Sequence, residues 1–164
     1  MLLEEIAKAS KPKYTGKSGF YCGFVIKNKD EVKDVCEKHN IECMNDLHVT
    51  VMYSFSKVSN PDLPKEFNNN DDLTASVIGF DRFGEDKDVL VVKLESPKLS
   101  KLHKHYVEVG AKFTWDEYHP HMTIQEKIKD SITDEQLAKF VKDLPILILR
   151  DFYFEDVDQK WKSS

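Results

Sequence analysis

The chain has 164 residues, 40% of them hydrophobic and 32% charged, with a formal net charge of −5. That balance suits one soluble globular domain, or two small lobes sharing a core, and excludes a disordered or bilayer-embedded chain. The acidic balance also argues against a duplex nucleic-acid coat, which needs a basic face, while leaving room for a small phosphate ligand in a locally positive cleft.

No apolar run reaches bilayer length, and Met1-Leu2-Leu3-Glu4-Glu5 lacks the basic start and apolar middle of a signal peptide. The expectation is a cytoplasmic protein without membrane contact. Three cysteines, Cys22, Cys36 and Cys43, form no C-x-x-C pair and read as reduced packing residues.

In chain order, residues 1–18 open with a helical pattern (Leu2, Leu3, Ile6) and break at Pro12 and Gly16. Lys8, Lys11, Lys13 and Lys17 crowd this end, as a solvated basic arm or as phosphate contacts. Aromatic and β-branched residues predict a strand over 19–26, and Asp30 is placed to cap a helix over 30–40 whose inner stripe is Val32, Val35 and Cys36. An alternating apolar strand follows over 47–54. Residues 56–72 form a polar loop with Pro61, Pro64 and Asn68 to Asn70. Strands over 73–80 and 89–94, joined by a turn at 84–88, predict a hairpin. Ser96-Pro97 caps a helix to about 109, with Leu99, Leu102, His103 and Tyr106 on one face and Gly110 as its stop. A strand over 119–125 comes next. Thr133 to Gln136 is a capping box for a third helix, with Leu137, Phe140, Val141 and Leu144 facing in and Pro145 ending it; an apolar strand over 146–154 and a polar tail complete the chain.

This order contains strand–helix–strand twice, over 19–54 and 89–125, and each unit delivers a His-x-Thr triplet on its last strand: His48-Val49-Thr50 and His121-Met122-Thr123. In a strand, residues i and i+2 share a face. Each triplet therefore offers one imidazole and one hydroxyl side by side, with Leu47, Val49 and Val51, or Met122 and Ile124, turned away. Histidine alone has an unperturbed pKa, about 6.5, suited to proton transfer near neutrality. Phosphodiester cleavage needs a base for the attacking oxygen and an acid for the leaving one, and two histidines supply both without a metal. The threonine hydroxyls can donate to non-bridging phosphate oxygens. One such triplet alone is an ordinary strand; two on equivalent units point to a site if the fold brings them together.

The paired triplets on hydrophobic strands resemble the signature of the two-histidine (2H) phosphoesterase superfamily, over roughly residues 19–155. The resemblance implies an α+β, bilobal, pseudo-symmetric single domain, with mostly antiparallel sheets flanking a central cleft and helices outside. It also implies metal-independent catalysis with no cofactor. The segments Lys13-Tyr14 to Phe24, Asp46 to Tyr53 and Tyr118 to Thr123 are most similar to one branch, the phage anti-CBASS nucleases. That implies cleavage of 3′–5′ linkages in cyclic di- and trinucleotide alarm signals, inside the bacterial host. It also implies His48 and His121 as proton-transfer groups, with Thr50 and Thr123 holding phosphate.

Base binding should use aromatic faces, and Tyr14 and Trp161 are the candidates. Trp161 reads equally well as a docking residue for the tail. Lys17 is a candidate phosphate contact, and Glu155, just past the last predicted strand, a candidate acceptor for a base edge or 2′-hydroxyl. Tyr53 falls on the face opposite Thr50 if its strand is regular, and so reads as core. His103-x-His105 and His119-x-His121 raise a competing zinc reading, although His103 and His105 lie on different sides of a helix. An RNA 2′,3′-cyclic phosphodiesterase would use the same two triplets, and a non-catalytic nucleotide sponge would use the same cleft.

Overall fold

The structure is a computed structural model that describes residues 19–67, 73–113 and 117–157. Among these residues six strands and three α-helices follow one another: β1 (Phe20–Ile26), α1 (Lys29–Lys38), β2 (His48–Ser54), β3 (Leu73–Phe83), β4 (Val89–Glu95), α2 (Pro97–Glu108), β5 (His121–Gln125), α3 (Asp134–Asp143) and β6 (Leu147–Asp156), with a 3₁₀ turn at Lys65–Phe67. The fold is α+β. All strand pairs are antiparallel, in the order β1-β2-β5-β4-β3-β6, and β6 returns to pair with β1 so that the sheet closes on itself.

The helices form where local chemistry favours them. Ser96 accepts a hydrogen bond from the Leu99 amide at 3.4 Å, with Pro97 opening α2. Thr133 and Gln136 complete the reciprocal capping box of α3. The helix over 30–40 departs from expectation, because Asn28 occupies its N-cap and Asp30 lies in the first turn. Asn28 makes no side-chain cap there. Its amide instead donates to the Ile146 carbonyl at 2.8 Å and accepts from the Ile148 amide at 2.9 Å, tying the exit of β1 to the start of β6.

The inner stripe of α2 is Leu99, Leu102, His103 and Tyr106, all buried, and this helix packs on β2. Tyr106 meets Phe20 edge-on at 5.9 Å, and Phe20 stacks on Phe154 at 4.3 Å. Burying each such large side chain contributes about 1.5–3 kcal/mol. The strands over 73–80 and 146–154 run further than expected, to Phe83 and Asp156. Glu155 is therefore inside β6 and not beyond it. Three expected features, the N-terminal helical pattern (Leu2, Leu3, Ile6), the lysines Lys8 to Lys17 and the Asn68 to Asn70 end of the polar loop, lie outside the described residues.

Four bulges break the sheet's regularity, one of them in β3, where Val77 pairs with Leu94 but Gly79 with Lys93 and Ile78 is extra. In β2, Cys22 pairs with Met52 but Gly23 pairs with Thr50, leaving Val51 as an extra residue. In β5, Leu90 pairs with Gln125 but Val91 with Thr123, leaving Ile124 extra. In β6, Gly23 pairs with Tyr153 but Val25 with Arg150, and Asp151 there takes a φ of 54°. The bulge in β2 overturns the reading of Tyr53 as core. It shifts the strand's phase, so Tyr53 falls opposite Tyr21 on the half-buried outer side, while Met52 is 1% exposed.

At the β2 bulge, side chains reach two consecutive carbonyls. The Tyr118 hydroxyl donates to the Thr50 carbonyl and His103 Nδ1 donates to the Val51 carbonyl, each at 2.7 Å. The His103 ring stacks on Tyr118 at 4.2 Å with the two planes nearly parallel, and is buried. Because Nδ1 must carry a proton to meet a carbonyl, the neutral ring leaves Nε2 as a lone pair, and Nε2 is buried without a hydrogen-bond partner.

Two outcomes follow. A Cβ at Gly23 would lie 2.3 Å from the Val49 carbonyl oxygen, so Gly23→Ala should destabilise the fold by about 1–3 kcal/mol, read as a lowered urea midpoint. Burial holds the His103 pKa below its ordinary value, although the Val51 carbonyl acts in the opposite sense. The unfolded chain then binds the proton more readily, so His103 contributes its full stability above pH ~6.5 and loses it as pH falls through the lowered folded value. His103→Gln should flatten the decline in urea midpoint between pH 7.5 and 5.5; an unchanged slope would rule His103 out as its source.

Candidate active site

β2 and β5 meet through the pair Val49 and Met122, both fully buried. Antiparallel register carried one residue to each side sets His48 across from Thr123 and Thr50 across from His121. All four are half-buried and flank buried residues, so the two triplets present one common face. The imidazoles occupy diagonal corners of this four-residue patch, a relation that ordinary ladder geometry spans with about 7–8 Å. The hydroxyls occupy the other two corners.

Both imidazoles are held alike. His48 Nδ1 donates to the Asp46 carbonyl and His121 Nδ1 to the His119 carbonyl, each at 3.0 Å and each two residues back along the chain. A carbonyl only accepts, so Nδ1 carries the proton on both rings. The neutral tautomer then keeps its basic lone pair on Nε2, and the protonated form keeps its transferable proton there. The patch thus has two equivalent proton-transfer atoms and two hydroxyl donors.

Aromatic side chains border it. Tyr153 on β6 meets His48 edge-on at 6.2 Å, and Phe83 on β3 meets His121 at 5.3 Å. Phe83 is 40% exposed. Tyr153 also contacts Tyr21 at 5.9 Å, and the Tyr21 hydroxyl donates a hydrogen bond to the Glu155 carboxylate. Glu155 and Tyr153 are two apart on β6 and pair with Tyr21 and Gly23, which continues the outer face of Thr50 across β1 onto β6. Burial pushes the phenols of Tyr21 and Tyr153 well above the ordinary tyrosine range; Glu155 adds to this at Tyr21, whereas a hydrogen bond with Thr50 opposes it at Tyr153. Both remain protonated donors throughout the neutral range.

Of the residues that the sequence points to, the fold brings together His48, Thr50, His121 and Thr123, with Glu155 further out on the same face. Tyr14, Lys17 and Trp161 lie outside the described residues. Tyr21, Phe83 and Tyr153 belong to no motif, and sequence reasoning misses them. The sequence holds one signal, for Tyr153 alone: an isolated Gly23 among aromatic strand residues, which marks close approach of another chain segment. His103 faces the core and His119 is exposed, 3.7 Å from Glu117. Among the described residues no three His, Cys, Asp or Glu side chains cluster as metal ligands. No described helix is long and apolar enough to cross a membrane.

The chain is 29% identical over 137 residues to the "Anti-CBASS protein Acb1" of Acinetobacter phage Ac42, covering 80% of this chain and 82% of that protein. It is 24% identical over 157 residues to the protein of the same name from Vibrio phage KVP40, covering 93% and 96% respectively. Residues 18–164 match the family described as "Anti-CBASS protein Acb1", a span that includes both His-x-Thr strands and every described element, and the chain belongs to that family.

Proposed function

We propose that this protein is a metal-independent phosphodiesterase of the two-histidine type, which hydrolyses 3′–5′ linkages of cyclic di- and trinucleotide signals and so disarms an anti-phage defence. One observation carries the reading: the matched Nδ1–carbonyl bonds of His48 and His121 leave two Nε2 atoms for acid–base work on one face. Membership of the anti-CBASS family supports the substrate class. The twofold strand–helix–strand order, with β2 and β5 as neighbours and a bulge after each triplet, supports the pseudo-symmetric architecture.

In the first step one imidazole takes the proton of the ribose 2′-hydroxyl as its oxygen attacks phosphorus. The other gives its proton to the departing 5′-oxygen. The products are a free 5′-hydroxyl and a 2′,3′-cyclic phosphate. In the second step the roles reverse, and water opens the cyclic phosphate. Negative charge grows on the non-bridging oxygens in both transition states, where Thr50 and Thr123 donate. A diagonal of about 7–8 Å suits two groups acting on opposite sides of one phosphorus. Tyr21 fixes Glu155 as a hydrogen-bond acceptor for a base edge or 2′-hydroxyl, and Tyr14, Lys17 and Trp161 complete the substrate contacts. Phe83 offers an exposed ring beside His121 for a base to stack on.

A panel of cyclic di- and trinucleotides incubated in EDTA tests this. Wild type should cleave them, and His48→Ala and His121→Ala should each lose about 10²–10⁴-fold in turnover while retaining binding. Cleavage abolished by EDTA would move the chemistry to a metal near His119. Linear RNA 2′,3′-cyclic ends consumed faster than any ring would make this an RNA-end enzyme, and tight binding without turnover a sponge.

A further inference from the structure

The register lays the outer face of the site out in rows. Gly23 pairs with Thr50 on one side and Tyr153 on the other, and Val25 pairs with His48 on one side and Arg150 on the other. With β5 added, one row reads Tyr153, Gly23, Thr50, His121 and the next reads Arg150, Val25, His48, Thr123. In the first row the Tyr153 phenol lies across β1, its hydroxyl oxygen 2.6 Å from where a Cβ at Gly23 would be. In the second, half-buried Val25 lies between Arg150 and His48. Two strand spacings separate those two backbones, about 9–10 Å.

The bulge in β6 is what brings Arg150 to this face. From Gly23 to Val25 the chain advances two residues, but from Tyr153 back to Arg150 it takes three, the extra one absorbed beside the positive φ of Asp151. In a regular strand Tyr153 and Arg150 would face opposite sides. Here both are half-buried on the outer side, and Leu149, paired with Ile26, is the buried neighbour. The chain carries two arginines, Arg82 and Arg150. Arg82 spends its fork on the protein, meeting Asp134 at 3.1 Å and the Ile132 carbonyl at 3.0 Å. Lys93, paired with His121 on β4, leans the other way, with its Cε 3.5 Å from where a Cβ at Gly79 of β3 would be.

We propose that Arg150 forms a second phosphate subsite, which holds a non-reacting phosphate of the ligand over Val25 while the reacting one sits on the four-residue patch. The proposal rests on the phosphodiesterase reading and narrows its substrate class to ligands with at least two phosphates. A guanidinium presents a planar fork matched to two phosphate oxygens, and it stays charged wherever the histidines titrate. A cyclic dinucleotide carries both its phosphates on one ring, so that one can react while the other anchors. A nucleoside 2′,3′-cyclic phosphate has a single phosphate and leaves Arg150 unused.

The test measures affinities of the full chain by NMR titration, with His121→Ala present to stop turnover. Cyclic di-AMP and cyclic di-GMP supply two phosphates, and the 2′,3′-cyclic phosphates of adenosine and guanosine supply one. Arg150→Gln should weaken the rings about 10–100-fold, the range of a charge-assisted hydrogen bond, and the single-phosphate ligands less than about twofold. Matching amide spectra and the retained single-phosphate affinity show that the variant keeps its fold. Arg150→Lys should recover part of the loss, because an ammonium keeps the charge without the fork. Lys98→Gln removes the same charge from an exposed position on α2, which packs on β2 through the core, and should leave all four affinities in place. With His121 restored, Arg150→Gln should raise KM for the rings and leave kcat unchanged. Equal losses for both ligand classes, no loss for the rings, a loss matched by Lys98→Gln, or a wild type that binds no ring would overturn the subsite. The expected affinities in a wild type that cleaves no ring would sink the phosphodiesterase reading and leave the subsite standing.

Discussion

One extra residue after Thr50 governs the arrangement of this site. An antiparallel ladder with Val51 inserted must bend and must expose carbonyls that a regular strand would pair. The Tyr118 hydroxyl and His103 Nδ1 take those carbonyls, and the two rings stack on each other. Without His103, the buried Val51 carbonyl would lose this partner, at about 1–3 kcal/mol. The bend that carries the catalytic candidates is thus held from inside the protein, by groups that never face the ligand. A histidine of α2 thus serves the backbone of the strand that carries His48.

The matching bulge at Ile124 follows Thr123 in the same way. Each triplet ends at the point where its strand leaves regular pairing with its other neighbour, and the two strands meet at Val49 and Met122. The two halves then differ in what surrounds them: a phenol reaching over a glycine beside Thr50, a valine beside Thr123. A symmetric pattern of backbone carries an asymmetric set of neighbours.

Much of this is legible in the amino-acid sequence. Period-two alternation locates β2 and β5, the cap residues Ser96 and Thr133 locate two helices, and the i, i+2 rule places each histidine beside its threonine. The register between the triplets is not legible, because it is fixed by the closure of six strands and not by either motif. Tyr53 defeats the alternation rule since a bulge has no sequence mark of its own, and a single inserted residue inverts the face of everything after it. Asp30 has the chemistry of a cap but not the place, because Asn28, two residues earlier, is drawn to the backbone of β6 some 120 residues away in sequence. Tyr153 cannot be recognised from its own segment, in which Phe152, Tyr153 and Phe154 look alike. Only the gap at Gly23 distinguishes the one that reaches the site.

The junction of β2 with β5 is the narrowest in the closed sheet, resting on the Val49–Met122 pair. The groups most suited to grip an anion stand on both sides of that junction. Anything bound there is also a clasp, fastening the ring of strands at its weakest joint, and the free energy of binding becomes free energy of folding by linkage. For a ligand that grips both sides of this junction, occupancy and mechanical integrity of the barrel become two descriptions of one equilibrium.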